Sequence, residues 1–204
     1  MSRNWSVVNL YGCKLSAVTY SLSCNTSGKP MLLSLFAVFF SLQIPSATPF
    51  DTPVSHDSLT VYVFLHDECV ISQFFTPQLS KLNKQTANKK VGFVGYFPDA
   101  TVGPERITAF GKKFGLEFPL LQDADQVLTS KMGIRIMPEV AVWDHGQDKM
   151  IYRGRIDDSY VRVGKRRLHP QSHDLRNVIE AWIAGETLSF RETQAIGCII
   201  GRKN

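Results

Sequence analysis

Cysteine is scarce in this chain of 204 residues, and no two cysteines have the C-x-x-C spacing of a dithiol site. The four are Cys13, Cys24, Cys69 and Cys198. A local disulfide at Cys69 is excluded, because the position three residues later holds Ser72. Any disulfide that Cys69 forms within the chain must therefore join it to a distant cysteine.

Long apolar runs are also lacking. The uncharged run at 32–42 is too short for a comfortable membrane span, which needs about 20 residues. Lys29 precedes this run and Pro-Ser-Ala at 45–47 follows it, an order typical of a secretory signal. We predict a signal-like segment at 31–47, a disordered upstream extension at 1–30, and an exported, periplasmic protein. A buried core helix or an uncleaved anchor at 31–47 stays open.

A strong excess of one charge is missing too. The formal net charge is +5, but residues 1–47 contain three basic residues and no acid, so the remainder is nearly balanced. This balance gives no electrostatic case for nucleic acid binding. A hydrophobic content of 44% fits a globular protein. We predict an irregular arm at 48–58, one domain at 59–190 and a C-terminal tail at 191–204.

Strand and helix patterns alternate within the predicted domain. Runs rich in β-forming residues predict strands at 59–66, 91–97, 139–143 and 149–154. Apolar residues at helical spacing predict helices at 72–86, 104–114, 125–132 and 175–184. The last two strands flank a turn at 144–147 and predict an antiparallel hairpin. The order predicts an α/β fold with a central mixed β-sheet and helices on both faces.

Cys69 has the most informative position in the chain. It ends the first strand-like run and opens the first helix-like run. Unpaired backbone N–H groups and the helix dipole favour an anion at a helix N-terminus, and this is one setting in which a thiol becomes a reactive thiolate. Asp67 and Glu68 directly precede Cys69, and their charges oppose its ionisation. The sequence leaves the balance of these effects open.

A strand, a cysteine at the start of the next helix, and a later Xaa-Pro before a hairpin strand resemble the thioredoxin-like superfamily. The resemblance covers about residues 59–185 and rests on 61–64 before Cys69 and on Met137-Pro138 before 139–143. The chain is most similar to redoxin (AhpC/TSA-like) thiol-disulfide oxidoreductases of an exported bacterial subgroup. That subgroup has Tyr-Arg-Gly-Arg-Ile-Asp-Asp and Gly-Cys-x-Ile segments, which stand here at 152–158 and 197–200.

The resemblance implies a thioredoxin-like fold and an antioxidant, thiol-disulfide redox activity in which Cys69 is the attacking thiolate. It also implies a cis peptide bond before Pro138, with the Met137 backbone turned towards the thiol to pair with an extended substrate. The implied partners are protein or small-molecule thiols and disulfides. We expect a monomer without cofactor, bound metal, nucleic acid or a stable membrane span after signal removal.

The chain departs from this family at position 72, where Ser72 replaces the second cysteine. A Cys-x-x-Ser site can still attack a disulfide and form a mixed disulfide. Ser72 could donate a hydrogen bond to the thiolate, or simply cap the helix or face solvent. Cys198 is the candidate resolving cysteine within the chain, although a structural or free Cys198 stays open.

Two other functions are weaker. Peroxidase activity is disfavoured, because position 66 is His66 rather than Thr or Ser and no proline lies between Pro53 and Cys69. The alternative from a different class is a non-catalytic thioredoxin-fold module that binds a protein partner or copper. A copper site would use Cys69, Cys198 and a histidine such as His169 or His173.

Overall fold

The computed structural model describes residues 58–201, so the predicted extension, the signal-like segment and most of the arm lie outside the described residues. The elements in chain order are β1 (Leu59–Phe64), α1 (Val70–Thr86), β2 (Val91–Phe97), α2 (Pro104–Phe114), β3 (Leu120–Gln122), α3 (Val127–Lys131), β4 (Ile136–Met137), β5 (Glu139–Asp144), β6 (Lys149–Gly154), β7 (Tyr160–Arg162), β8 (Lys165–Arg166), α4 (Asp174–Ile183), β9 (Arg191–Glu192) and β10 (Cys198–Ile199).

Six of these strands form one mixed sheet in the order β3-β2-β1-β5-β6-β9. β1, β2 and β3 are parallel neighbours, whereas β5 runs antiparallel to both β1 and β6. The β5–β6 pair is the predicted hairpin. The sheet confirms the predicted α/β fold, because strands alternate with helices in the first half of the domain and a hairpin follows.

The central strand β1 is buried on both faces of the sheet. Its odd-numbered residues pack into one core with buried residues of α1, α2 and α4. Tyr62 and Phe64 point the other way, into a second core that includes Leu128 and Met132 from α3 and its C-terminal end. This alternation follows from the two-residue repeat of a strand. Burial of both faces explains why β1 reads as a continuous apolar run.

Helix ends follow local chemistry. α2 begins at Pro104 and ends at Phe114, and it is capped by Gly115, which has the left-handed φ of 61° that favours glycine. α3 is shorter than predicted: Gln126 has φ 55°, and the Asp123 carboxylate accepts hydrogen bonds from the backbone N–H groups of Leu128 and Thr129. α1 begins at Val70, two residues earlier than predicted, so Cys69 is its N-cap. Within residues 58–201, no helix is long and apolar enough to cross a membrane.

The C-terminal segment returns to the domain at two places. β9 pairs in parallel with β6 at the edge of the main sheet. Next to it, the Thr193 hydroxyl contacts the Tyr152 hydroxyl at 2.6 Å and accepts the Arg155 N–H at 3.1 Å. β10 then pairs antiparallel with β4 in a separate two-stranded sheet. The chain therefore runs from β9, at one edge of the main sheet, to β10, where Cys198 lies next to Cys69 at the start of α1.

Candidate active site

The site begins at Cys69, the residue that joins β1 to α1. Its backbone N–H donates to the His66 carbonyl and its carbonyl accepts from the Gln73 N–H, so both neighbouring turns hold it in place. The Cys69 side chain is buried, with only 2% of the residue exposed. Its sulfur faces the N-terminal end of α1, where the backbone N–H groups of Ile71 and Ser72 favour a negative charge on it. A thiolate in this position benefits from the dipole of α1.

The loop before β5 forms the second side of the site. The Met137–Pro138 peptide bond is cis, as the resemblance implies. The Cys69 sulfur lies 3.3 Å from the carbonyl oxygen of Met137, to which the neutral thiol donates a hydrogen bond. The fold therefore brings together three of the predicted residues, Cys69, Met137 and Pro138, although they come from two distant parts of the sequence.

Cys198 forms the third side. Its sulfur lies 2.7 Å from the sulfur of Cys69, and the two are not bonded to each other. This distance is longer than the roughly 2.05 Å of a disulfide bond, but it is a direct contact between the sulfur atoms. Cys198 is exposed, whereas Cys69 is buried below it. The two cysteines that remain after the predicted signal segment thus meet at one point.

The contact shifts the pKa values of the two thiols in opposite directions. Burial opposes ionisation of Cys69, but hydrogen bonds from the Cys198 thiol, from the backbone and hydroxyl of Ser72 and from the backbone of Ile71 outweigh it. The pKa of Cys69 therefore lies below its ordinary value. Partial burial of the Cys198 sulfur, its hydrogen bond to Cys69 and the nearby charge raise the pKa of Cys198 to about 12. Cys69 is the thiol that ionises first.

Ser72 lies in the first turn of α1 and is fully buried. Its hydroxyl oxygen accepts the backbone N–H of His66 at 3.2 Å, which leaves the hydroxyl hydrogen to favour the thiolate of Cys69. The solvent-facing alternative for Ser72 is therefore wrong. The contacts of the Ser72 hydroxyl agree with a hydrogen bond from it to the Cys69 thiolate. Such a hydrogen bond is weaker than the covalent bond that a second cysteine would supply.

Arg106 forms ion pairs with the two acidic residues that precede Cys69. Its Nε donates to Asp67 at 2.7 Å, and its Nη2 donates to Glu68 at 2.8 Å. The guanidinium thus pairs both charges that precede Cys69, so they oppose the thiolate less than the sequence suggests. Sequence reasoning missed Arg106, because it lies on α2 and no local pattern connects it to Cys69.

A cavity of about 400 Å³ opens beside the two sulfurs. Its walls include His66, Asp99, Gln126 and Met137. The Glu68 N–H points at His66 Nδ1 at 3.1 Å, and His66 Nε2 lies 3.2 Å from a carboxylate oxygen of Asp99. The His66 ring therefore contacts Asp99 and the Glu68 backbone, and its hydrogen bonds do not involve the Cys69 sulfur. The cavity has room for a small sulfur compound next to the cysteine pair.

A metal site receives no support from this geometry. Within residues 58–201, no three His, Cys, Asp or Glu side chains are grouped so that they could hold a metal ion. His169 and His173, the histidines considered for copper, are not among the residues that line the cavity. His173 instead precedes α4 as its N-cap. The copper-binding alternative is therefore not favoured.

Comparison with known proteins adds evidence on the fold. No protein-family model matches the sequence, and neither does any curated protein. A hypothetical protein from Sinorhizobium meliloti 1021 is similar in structure at 26% identity and a TM-score of 0.61, over 71% of this chain and 80% of that one. An uncharacterized conserved protein from Geobacillus kaustophilus is similar at 25% identity and a TM-score of 0.63, over 72% of this chain and 78% of that one.

A third similar structure carries a functional name. It is the C-terminal domain of a candidate thiol-disulfide oxidoreductase from Bacteroides thetaiotaomicron, with 11% identity and a TM-score of 0.51 over 66% of this chain and 82% of that one. Identity this low shows the fold alone. Together with the sheet order and the residues around Cys69, these matches confirm the predicted thioredoxin-like fold.

Proposed function

We propose that this protein is a thiol-disulfide oxidoreductase whose redox pair is Cys69 and Cys198. The observation that carries the proposal is the 2.7 Å contact between their sulfur atoms, next to the Met137 carbonyl at the cis peptide. A thiol of lowered pKa at a helix N-terminus is the usual attacking group in such exchange. A second thiol in contact with it supplies the partner that position 72 lacks.

The first step is attack by the Cys69 thiolate on one sulfur of a substrate disulfide. A bond forms between Cys69 and that sulfur, and the other substrate sulfur leaves as a thiolate. The Ser72 hydroxyl and the N-terminus of α1 stabilise the thiolate before the attack. Arg106 limits the repulsion from Asp67 and Glu68.

The second step releases the substrate. Cys198 loses its proton to the departing thiolate or to solvent and attacks the Cys69 sulfur, which frees the second substrate thiolate. The protein dithiol is oxidised to a Cys69–Cys198 disulfide, and the substrate disulfide is reduced to two thiols. The negative charge on Cys69 helps to raise the pKa of Cys198. Once Cys69 is in a mixed disulfide that charge is gone, so Cys198 ionises more readily at the stage where it must react.

The proposal also includes where the protein acts, the family to which it belongs and the partners with which it reacts. Residues 29–47 support an exported protein, and the 152–158 and 197–200 segments support a place among redoxin (AhpC/TSA-like) proteins with an antioxidant role. Protein or small-molecule disulfides are the proposed partners of a monomer. Peroxide reduction is left out, because His66 stands where a peroxidase needs Thr or Ser.

Disulfide reduction by the full chain tests the proposal, in a background with Cys13→Ser and Cys24→Ser. We expect glutathione buffers to produce a Cys69–Cys198 disulfide that peptide mass mapping can locate. Cys69→Ser should lose disulfide reduction, whereas Cys198→Ser should accumulate the mixed disulfide at Cys69. Undiminished reduction by Cys69→Ser, or two free thiols at every glutathione ratio, would rule out the pair.

A further inference from the structure

The strand that carries Cys198 occupies a distinctive place. β10 pairs antiparallel with β4, so that Cys198 lies opposite Met137 and Ile199 opposite Ile136. The Ile200 N–H donates to the Arg135 carbonyl at 3.0 Å, and the Gln126 side chain donates to the Gly201 carbonyl at 2.6 Å. Cys198 therefore reaches Cys69 as part of a strand that is paired with the residues just before the cis peptide.

The family resemblance implies that the Met137 backbone in β4 pairs with an extended substrate, and we propose that β10 is a built-in, displaceable occupant of this same strand edge. The partner that takes the place of β10 is an extended, cysteine-bearing segment of another protein. Such a segment would add to the edge of β4 through backbone hydrogen bonds. The inference rests on the proposed function for its chemistry, whereas the exchange of strands can be measured without any redox reaction.

Access to Cys69 requires this exchange for a protein substrate. Cys69 is 2% exposed, and Cys198 covers its sulfur at 2.7 Å. A small disulfide can approach through the cavity of about 400 Å³ beside the sulfurs. A disulfide within a polypeptide needs room for the chain on both sides of its cysteine, and β10 occupies that room.

β10 is bound to β4 by few contacts, so that it can occupy this strand edge and also dissociate from it. It has two residues, and Ile199 is 80% exposed. Ile200 supplies the apolar anchor, being 7% exposed in the core that contains Ile134 and Met137. A segment with few buried apolar contacts and few backbone hydrogen bonds opens at a lower free energy than the core strands. Local opening of residues 197–201 therefore exposes Cys69 without unfolding the domain.

Gly197 offers a way to unseat β10 without touching either sulfur. A Cβ atom at this position would collide with the Met137 carbonyl and approach the Ile136 side chain to 3.0 Å. Gly197→Ala therefore pushes β10 away from β4. Gly201→Ala is the matched control, because a Cβ atom there would meet nothing within 4 Å.

The exchange can be measured with a peptide that copies residues 194–201 and whose cysteine carries a thionitrobenzoate group. In the full chain with Cys198→Ser, the Cys69 thiolate attacks the peptide sulfur. A Cys69–peptide disulfide forms, and coloured thionitrobenzoate leaves as a thiolate. Adding Gly197→Ala should raise the peptide rate about tenfold, the effect of removing a competing strand worth about one backbone hydrogen bond. Gly201→Ala should leave it unchanged.

Two results would overturn the strand exchange. One is a peptide rate that stays the same when Gly197→Ala is added. The other is an equal acceleration of the symmetric thionitrobenzoate disulfide, which needs no strand-binding surface. If neither probe reacts with Cys69 in any variant, the proposed function fails, and the strand exchange is then decided by amide hydrogen exchange.

Amide hydrogen exchange also shows whether the Gly197→Ala variant is correctly folded. Gly197→Ala should reduce protection of the Ile200 amide, while the amides of β1 and β2 stay protected. If those core amides lose protection, Gln126→Asn is used in place of Gly197→Ala. The shorter Asn side chain cannot reach the Gly201 carbonyl, so the hydrogen bond to it is lost, and Asn tolerates the left-handed φ of this position. An unchanged Ile200 amide in the correctly folded variant would contradict the proposal.

Discussion

At the scale of single residues, opposing effects set the ionisation of Cys69. Burial disfavours the thiolate, and hydrogen-bond donors around the sulfur favour it. The Cys198 thiol is one of these donors, together with Ser72 and the backbone of Ile71. The thiol that we propose as the resolving group thus also lowers the pKa of Cys69 in the reduced protein. Arg106 adds to this by pairing the acidic neighbours Asp67 and Glu68.

This double role predicts the effect of two substitutions at position 198. Cys198→Ala removes the donor, so the pKa of Cys69 should rise, and alkylation of Cys69 should reach half its maximal rate at a higher pH than in the native chain. Cys198→Ser keeps a hydroxyl donor and should retain most of the lowered pKa. The pH dependence of iodoacetamide alkylation, read at Cys69 by peptide mass mapping, measures both. Identical midpoints for the two variants would contradict the role of the donor.

At the scale of elements, the C-terminal segment depends on the edge of the main sheet. β9 brings the chain to Thr193, whose hydroxyl joins the Tyr152 hydroxyl and the Arg155 N–H. Gly154, with φ 142°, passes so close that a Cβ atom would collide with the Thr193 backbone. These contacts fix the origin of residues 194–201, from which β10 reaches β4.

Thr193→Val tests this anchor. The substitution keeps the shape of the side chain but leaves the Arg155 N–H without its acceptor, which should lower the free energy of unfolding by about 1–3 kcal/mol. Urea denaturation followed by circular dichroism gives the value. Thr187→Val, at an exposed threonine of the same segment, is the control and should change stability little. Equal midpoints for both variants would show that Thr193 is not an anchor.

The elements also show what sequence reasoning can reach. For long periodic segments such as 91–97 and 104–114 the sequence predicts both ends of the element correctly, because the spacing of apolar residues reflects the face that each segment buries. β4 and β10 have two residues each, too few for any periodicity. The sequence therefore identified Cys69 and Met137-Pro138 as site residues, but left open whether Cys198 meets them. That contact depends on β9, β10 and the path between them, which only the packed fold defines.

At the scale of the whole molecule, the proposed disulfide would close almost the entire domain into a loop. Cys69 and Cys198 are 129 positions apart, so joining them restricts the unfolded chain far more than the folded one. The folded state in turn holds the two sulfurs in contact and raises their effective concentration. A thermodynamic cycle makes these two statements equivalent: whatever the disulfide adds to folding, folding adds to the disulfide.

The cycle predicts that oxidation stabilises the protein. In the chain-entropy view, a disulfide across a loop of this length adds up to about 5 kcal/mol to the free energy of unfolding. Urea denaturation of the reduced and oxidised chain, in the Cys13→Ser and Cys24→Ser background, measures the difference. The free energy of oxidation of the Cys69–Cys198 pair by glutathione can be measured without urea and in denaturing urea. The two values should differ by the same amount as the two free energies of unfolding. Cys198→Ser should unfold at one midpoint under both conditions. Equal midpoints for the reduced and oxidised native pair would mean that closing this loop strains the fold as much as it restricts the unfolded chain.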